Sequence, residues 1–136
     1  MQKPLVFLTL LFLFVLVCGC QQKTAIEQFA QEAREFTLNQ CPKQVDACTR
    51  MDSTTFCAST LTYCFNYTVS EMLDNDSVFQ GETRQKLHDA LLADIRTSIA
   101  LMGYKEAGIT LSYRYFSAQH GTLLGEFTFR KEDYGR

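Results

Sequence analysis

The stretch "LTYCFNYTV", Leu61 to Val69, decides how this chain is read. Leu61, Tyr63, Phe65, Tyr67 and Val69 fall on one side of an extended backbone, and Thr62, Cys64, Asn66 and Thr68 on the other. Successive side chains of a strand point to opposite faces, so this is a strand with one apolar and one polar face. Such a strand belongs in a sheet covered on one side only. Upstream, "VDACTRMDS" (Val45–Ser53) alternates more loosely, with Val45, Ala47 and Met51 against Asp46, Cys48, Arg50 and Asp52. The small polar residues between the two segments predict a hairpin with a somewhat long tip. Downstream, "ITLSYRYF" (Ile109–Phe116) and "TLLGEFTF" (Thr122–Phe129) alternate around "SAQHG", which predicts a second hairpin with Gly121 in its turn.

Two helices supply the cover. Thr24 and Glu27 are spaced as the halves of a capping box, and Ile26, Phe29, Ala30, Ala33 and Phe36 follow at helical spacing before Pro42. After the polar stretch "SEMLDNDSVFQG", the positions Leu87, Leu91, Ile95 and Met102, with Leu92 and Ile99 beside them, predict a helix over Glu82–Met102 closed by Gly103. The order helix, strand, strand, helix, strand, strand predicts an α+β fold in which two helices pack on one face of a four-stranded antiparallel sheet. No repeat of solenoid length and no low-complexity segment interrupts it.

The first residues read as an export signal. Lys3 gives a short positive region, and Leu5–Val17 runs on with only Thr9 polar. At ~1.5 Å per residue such a helix covers roughly 20 Å, short of the ~30 Å hydrocarbon core, and no stop-transfer flank follows. A cleaved signal peptide over residues 1–19 is expected rather than a spanning helix. Val17-Cys18-Gly19-Cys20 then resembles the bacterial lipobox, in which an aliphatic residue, a small residue and Gly or Ala precede an obligatory cysteine. The resemblance to lipoprotein precursors implies that Cys20 receives a diacylglyceryl thioether and becomes the mature N-terminus, while Cys18 leaves with the signal. Two or three acyl chains hold a small domain at a membrane where one would not. Gln21 stands where, in those lipoproteins, Asp favours inner-membrane retention, so the resemblance implies an outer-membrane anchor facing the periplasm. Residues 20–23 then form the lipidated N-terminus and a short tether, and residues 24–136 a single domain that begins almost at the membrane surface.

The mature chain loses Lys3, so 12 basic residues face 15 acidic ones and the formal charge is −3. That balance argues against a nucleic-acid partner, which needs a basic face. Eleven Phe and six Tyr with no Trp predict a core of sheet aromatics. Four cysteines remain, Cys41, Cys48, Cys57 and Cys64, and an even number in an exported domain predicts two disulfides. Their spacing lacks the C-x2–4-C pairs of zinc sites and the C-x-x-C of thioredoxin-like chemistry, so no metal is expected. Neighbour pairing, Cys41–Cys48 and Cys57–Cys64, closes equal loops. The alternative is Cys48–Cys64 across the first hairpin, which leaves Cys41 and Cys57 about 25 Å apart along an extended strand.

Catalytic chemistry is thin. His88 and His120 are the only side chains that titrate near neutrality without a shift, and nothing in their spacing brings a nucleophile to either. Asp74 and Asp76 stand in a polar loop and read as solvated. No G-x-S-x-G, H-E-x-x-H or glycine-rich phosphate loop occurs. Asn66-Tyr67-Thr68 and Asn75-Asp76-Ser77 match the glycan acceptor pattern, which beside a bacterial lipobox reads as coincidence. The chain is expected to be no enzyme and to hold no cofactor.

"CPKQVDACTRMDS", "YCFNYTV" and "LSYRYF" resemble a group of small uncharacterised bacterial exported proteins with P-x-x-V-D-x-x-T, Y-x-Y-T and Y-x-Y strand motifs. Pro42, Val45, Asp46, Thr49 and Asp52 fall on the first motif, Tyr67 and Thr68 on the second, and Tyr113 and Tyr115 on the third. Phe65 replaces one tyrosine. The resemblance implies one domain of shared fold and carries no activity. Among polar residues Asp46, Arg50 and Asp52, joined by Arg114 from the second hairpin, form the candidate interaction patch. The bland alternative is cross-strand pairing on a wet sheet face, worth ~0.2–1 kcal/mol per pair. The expected role is that of a membrane-anchored envelope lipoprotein that binds another envelope protein, as an accessory subunit or an inhibitor. A carrier of a small apolar ligand between helices and sheet is the alternative.

Overall fold

Residues 23–135 are described in a computed structural model of the chain; the expected signal peptide, Cys20 and the first tether residues lie outside them. The predicted capping box is formed, with Thr24 N–H donating to Glu27 Oε2 at 2.9 Å and Glu27 N–H to Thr24 Oγ1 at 3.3 Å. It opens α1 (Ala25–Gln40), followed by β1 (Lys43–Gln44), β2 (Thr49–Cys57) and β3 (Thr62–Val69). Two 3-10 turns, Glu71–Leu73 and Asp76–Phe79, lead into α2 (Gly81–Thr97) and a short α3 (Met102–Glu106). β4 (Thr110–Ser117), β5 (Leu123–Phe129) and α4 (Lys131–Tyr134) follow.

The sheet runs in the order β1-β2-β3-β4-β5. Every pairing is antiparallel except β3 with β4, which is parallel from Thr62↔Thr110 to Val69↔Ser117. The expected four antiparallel strands and two helices are therefore corrected, among the described residues, to a mixed sheet of five strands with four helices, still α+β. The cause is the connection: a helical crossover returns the chain to the end of the sheet where β3 began, so β4 runs the same way. Alternation marks the buried face of a strand and says nothing of its neighbour, and β1 is too short to show a period.

The core face carries Tyr63 and Val69 of β3, Leu111, Tyr113 and Tyr115 of β4, and Phe127 and Phe129 of β5, closed by Ala33 of α1 and Ile95 of α2. α1 lies along β2. There the Thr37 hydroxyl donates to the Thr54 carbonyl at 2.9 Å and accepts from the Thr54 N–H at 2.8 Å, while the Thr54 hydroxyl donates to the Ala33 carbonyl. β1 pairs with β2 only at Arg50 and Met51, so beyond that point α1 takes the place of a neighbouring strand. α2 leans on β5, with the Arg84 guanidinium 4.3 Å from the Phe127 ring centre and the His88 ring 5.0 Å from that of Phe129.

Several local expectations are corrected. Val45–Cys48 turn the chain between β1 and β2 rather than forming a strand, held by Val45 N–H to the Thr49 carbonyl at 2.9 Å. β2 runs on to Cys57, because Thr54, Thr55 and Phe56 are strand formers, and the long tip shrinks to a tight turn with Leu61 at φ 49°. A bulge between Met51 and Ser53 puts Asp52 out of step with β3. α2 ends at Thr97, not Met102. The Thr97 hydroxyl bonds back to the Ala93 carbonyl and the Ser98 hydroxyl accepts from Leu101 N–H, local bonds that compete with the helix. Gly103 consequently sits inside α3, and Ile99 is 80% exposed.

The two disulfides are also corrected. Cys41, Cys48, Cys57 and Cys64 are all free, and no two lie at bonding distance. The shifted register is the reason. Cys48 falls in the turn before β2, where its thiol donates to Glu71, and Cys64 faces Thr55. Cys57 stands opposite Thr62, so neither the neighbour pairing nor the cross-hairpin pairing is met.

Candidate binding groove

Between α2 and the Val45–Thr49 segment the core face opens into a groove of about 710 Å³. Its floor is Tyr67 and Val69 of β3 with Tyr113 and Tyr115 of β4. Leu87 and Leu91 of α2 form one wall, and Leu73, Val78 and Phe79 from the 3-10 turns close another side. The parallel register makes the floor, because it sets Phe65 beside Tyr113 and Tyr67 beside Tyr115. Ring centres lie 4.8 Å apart for Phe65–Tyr113 and 5.2 Å for Tyr67–Tyr115, with planes 21° and 15° apart. Rings stacked this way cover one another's faces, and Tyr67, Tyr113 and Tyr115 line the groove. Burial pushes all three phenols up, Tyr115 to about 12 with the Asp46 charge adding to it, so they stay neutral hydrogen-bonding groups at any physiological pH.

Phe79 reaches its place because β5 carries Gly125 beneath it. A Cβ there would meet Phe79 Cδ1 at 2.6 Å. Asp46, Asp94 and Lys86 supply the charge around the opening, and Lys86 is already paired with Glu82 at 2.7 Å.

The four residues of the expected interaction patch do not stay together. Asp46 lines the groove, as Thr49 does. Arg50 and Asp52 pair with each other at 2.6 Å, and the Thr68 hydroxyl donates to Asp52 from the polar face of β3. Arg114 is two strands away from β2, with its Nε 3.9 Å from Glu126 Oε1 and its guanidinium 5.1 Å from the Phe116 ring centre. That Nε is buried and makes no hydrogen bond. Arg50 pairs within β2, while Asp52 and Arg114 reach across to neighbouring strands. His88 contacts Asp89 at 3.0 Å, and His120 donates its backbone N–H to Ser117 in the β4–β5 turn. Asp74, expected to be solvated, accepts from Gln119 N–H at 2.9 Å, and hydrogen bonds from Ser117 and Gln119 hold its carboxyl below the usual range. Asp94 and the Leu73–Phe79 wall escaped sequence reasoning. The available signal was the paired tyrosines of the Y-x-Y strand, which mark a floor and not its walls. Among the described residues no three His, Cys, Asp or Glu side chains form a metal-ligand set, and no helix is long and apolar enough to cross a membrane.

Residues 24–125, well over half the chain, match the family described as Domain of unknown function (DUF8479). The chain belongs to this DUF8479 family. No curated protein matches it. Among solved structures, the family's fold recurs in a Pseudomonas aeruginosa protein predicted to be secreted. It is 8% identical, with a TM-score of 0.68 over 83% of this chain and 99% of that one. It recurs in the type II secretion system pilotin AspS of Vibrio cholerae, at 15% identity and a TM-score of 0.56, covering 79% of this chain and 89% of that one. The pilotin EpsS of the Vibrio vulnificus type 2 secretion system is similar over the same shares, at 7% identity and a TM-score of 0.59. At these identities the likeness is one of fold.

Proposed function

We propose that this DUF8479 protein is a non-enzymatic envelope lipoprotein, anchored through acyl chains on Cys20, whose groove holds a segment of another envelope protein. The observation that carries the reading is an open apolar groove of about 710 Å³ over a sheet whose fold is shared with two secretion-system pilotins. The lipobox resemblance supports the anchor, and the tether of a few residues keeps the groove close to the bilayer. Arg50, Asp52 and Arg114 are assigned a structural part, and Asp46 moves to the binding site. The groove volume also falls in the range of small-molecule sites, about 300–1,000 Å³, which favours an apolar-ligand carrier as the second reading.

Photo-crosslinking in intact cells tests the two against each other. A crosslinking amino acid at Leu91 in the groove is expected to capture one envelope protein, and the same group at Thr55 on the polar face none. Capture from Thr55 alone would move the site to the other face of the sheet. A lipid mass retained in native mass spectrometry, with no protein adduct from Leu91, would favour the carrier.

A further inference from the structure

We infer that the groove takes a peptide segment that is apolar toward its walls and carries one lysine or arginine, seated over the tyrosine row between Asp46 and Asp94. The inference rests on the binding reading above and specifies the chemistry of what is bound. Tyr113 and Tyr115 are each only 8% exposed, and with Tyr67 they line the groove. Their hydroxyls have no hydrogen-bond partner among the described residues, and burial together with nearby charge accounts for their altered acidity. These hydroxyls are not sealed from solvent, so they are open to accept hydrogen bonds from a ligand with N–H donors. A phenol oxygen can accept a hydrogen bond, which suits an ammonium or guanidinium head.

The charge around the opening points the same way. Asp46 accepts from Cys48 N–H through Oδ1 at 2.8 Å, and its second oxygen has no hydrogen-bond partner among the described residues. Asp94 forms no ion pair among the described residues, whereas Lys86, the cation lining the groove, is held by Glu82 at 2.7 Å. Asp46 acts electrostatically on Tyr115 and Asp94 on Tyr113, so a cation over the row lies within reach of both carboxylates. An ionised fatty acid or an acidic peptide would bring a further negative charge against the same two groups. Val45, 54% exposed at the groove, extends the apolar wall for flanking side chains.

The test selects phage-displayed random peptides against the full mature protein in lipid nanodiscs. Asp46→Asn/Asp94→Asn serves as the charge variant and Thr83→Trp as a groove-blocking variant on the exposed side of α2. Selected peptides are expected to share a basic residue among apolar ones. A synthetic peptide of that sequence should bind roughly 3- to 10-fold more weakly to the charge variant, and its norleucine analogue should lose the same factor on the unaltered protein. Apolar peptides blocked by Thr83→Trp but indifferent to the charge variant would overturn the basic-residue inference and leave groove binding standing. Acidic consensus peptides would overturn it as well. Peptides that bind equally to all three proteins, or no binders at all, would sink the groove-binding reading itself.

Discussion

Thr37 is one hydroxyl on a helix, yet it supplies both backbone partners of Thr54. Among the described residues no strand flanks β2 on its β1 side beyond Met51, so the Thr54 N–H and carbonyl have the Thr37 oxygen instead. Valine would keep the volume and remove both bonds from a residue that is 4% exposed. Thr37→Val is expected to cost about 1–3 kcal/mol, read as a lower denaturant midpoint at unchanged slope. An unmoved midpoint would mean that water reaches Thr54. Cys57 invites a second test at this scale. Hydrogen bonds from the Ser59 and Thr60 hydroxyls bring its thiol down to about 7, whereas burial raises Cys41 and Cys64 and burial with Glu71 raises Cys48. Since the thiolate is the nucleophile, iodoacetamide should alkylate Cys57 first, at a rate that climbs as pH rises through 7 and then levels. Peptide mass spectrometry after timed pulses reads the order. Unreactive cysteines throughout would restore the disulfides that the register argues against.

At the scale of elements, Gly125 and Phe79 are one device. The glycine lets the second 3-10 turn lie against β5, and Phe79 then packs 5.3 Å from the Tyr115 ring. Gly125→Ala is expected to cost about 1–3 kcal/mol, since the Cβ forces the ring out of a packed position. It should also weaken groove binding, because Phe79 is part of the wall. Calorimetry and peptide titration on the same variant separate the two effects. This pairing also shows what could be read beforehand. The strands at Leu61–Val69, Ile109–Phe116 and Thr122–Phe129 were legible because a period of two survives wherever one face is buried. The parallel pairing was not, since the pattern of Tyr113 and Tyr115 is the same beside either neighbour. The Asp52 bulge and the two-residue β1 leave no periodic trace. "SEMLDNDSVFQG" looks like a solvated loop because its polar residues cap and turn, as Asn75 does for Ser77 N–H, while Val78 and Phe79 go inward. Asp46 lines the groove, but its companions there come from α2 and β4, far along the chain.

At the scale of the whole molecule, the proposed anchor on Cys20 is the feature to test. With Cys20 changed to Ser, the protein is expected to be exported without acyl chains and to leave the membrane fraction, its thermal stability unchanged because α1 is capped by Thr24 and Glu27 on its own. Fractionation with mass measurement of the N-terminal peptide checks this. Membrane retention of the serine variant would point to an attachment outside the lipobox. Three structures at 7–15% identity keep the same architecture, so the architecture tolerates nearly complete replacement of its side chains. The tyrosine row has one more consequence. The chain contains no Trp, and three of its six Tyr stand on the groove floor. Half of the tyrosines that give the protein its ultraviolet emission therefore stand at the proposed point of contact. A bound peptide bearing a single tryptophan would drain that emission by energy transfer, so the native protein reports its own occupancy without a dye.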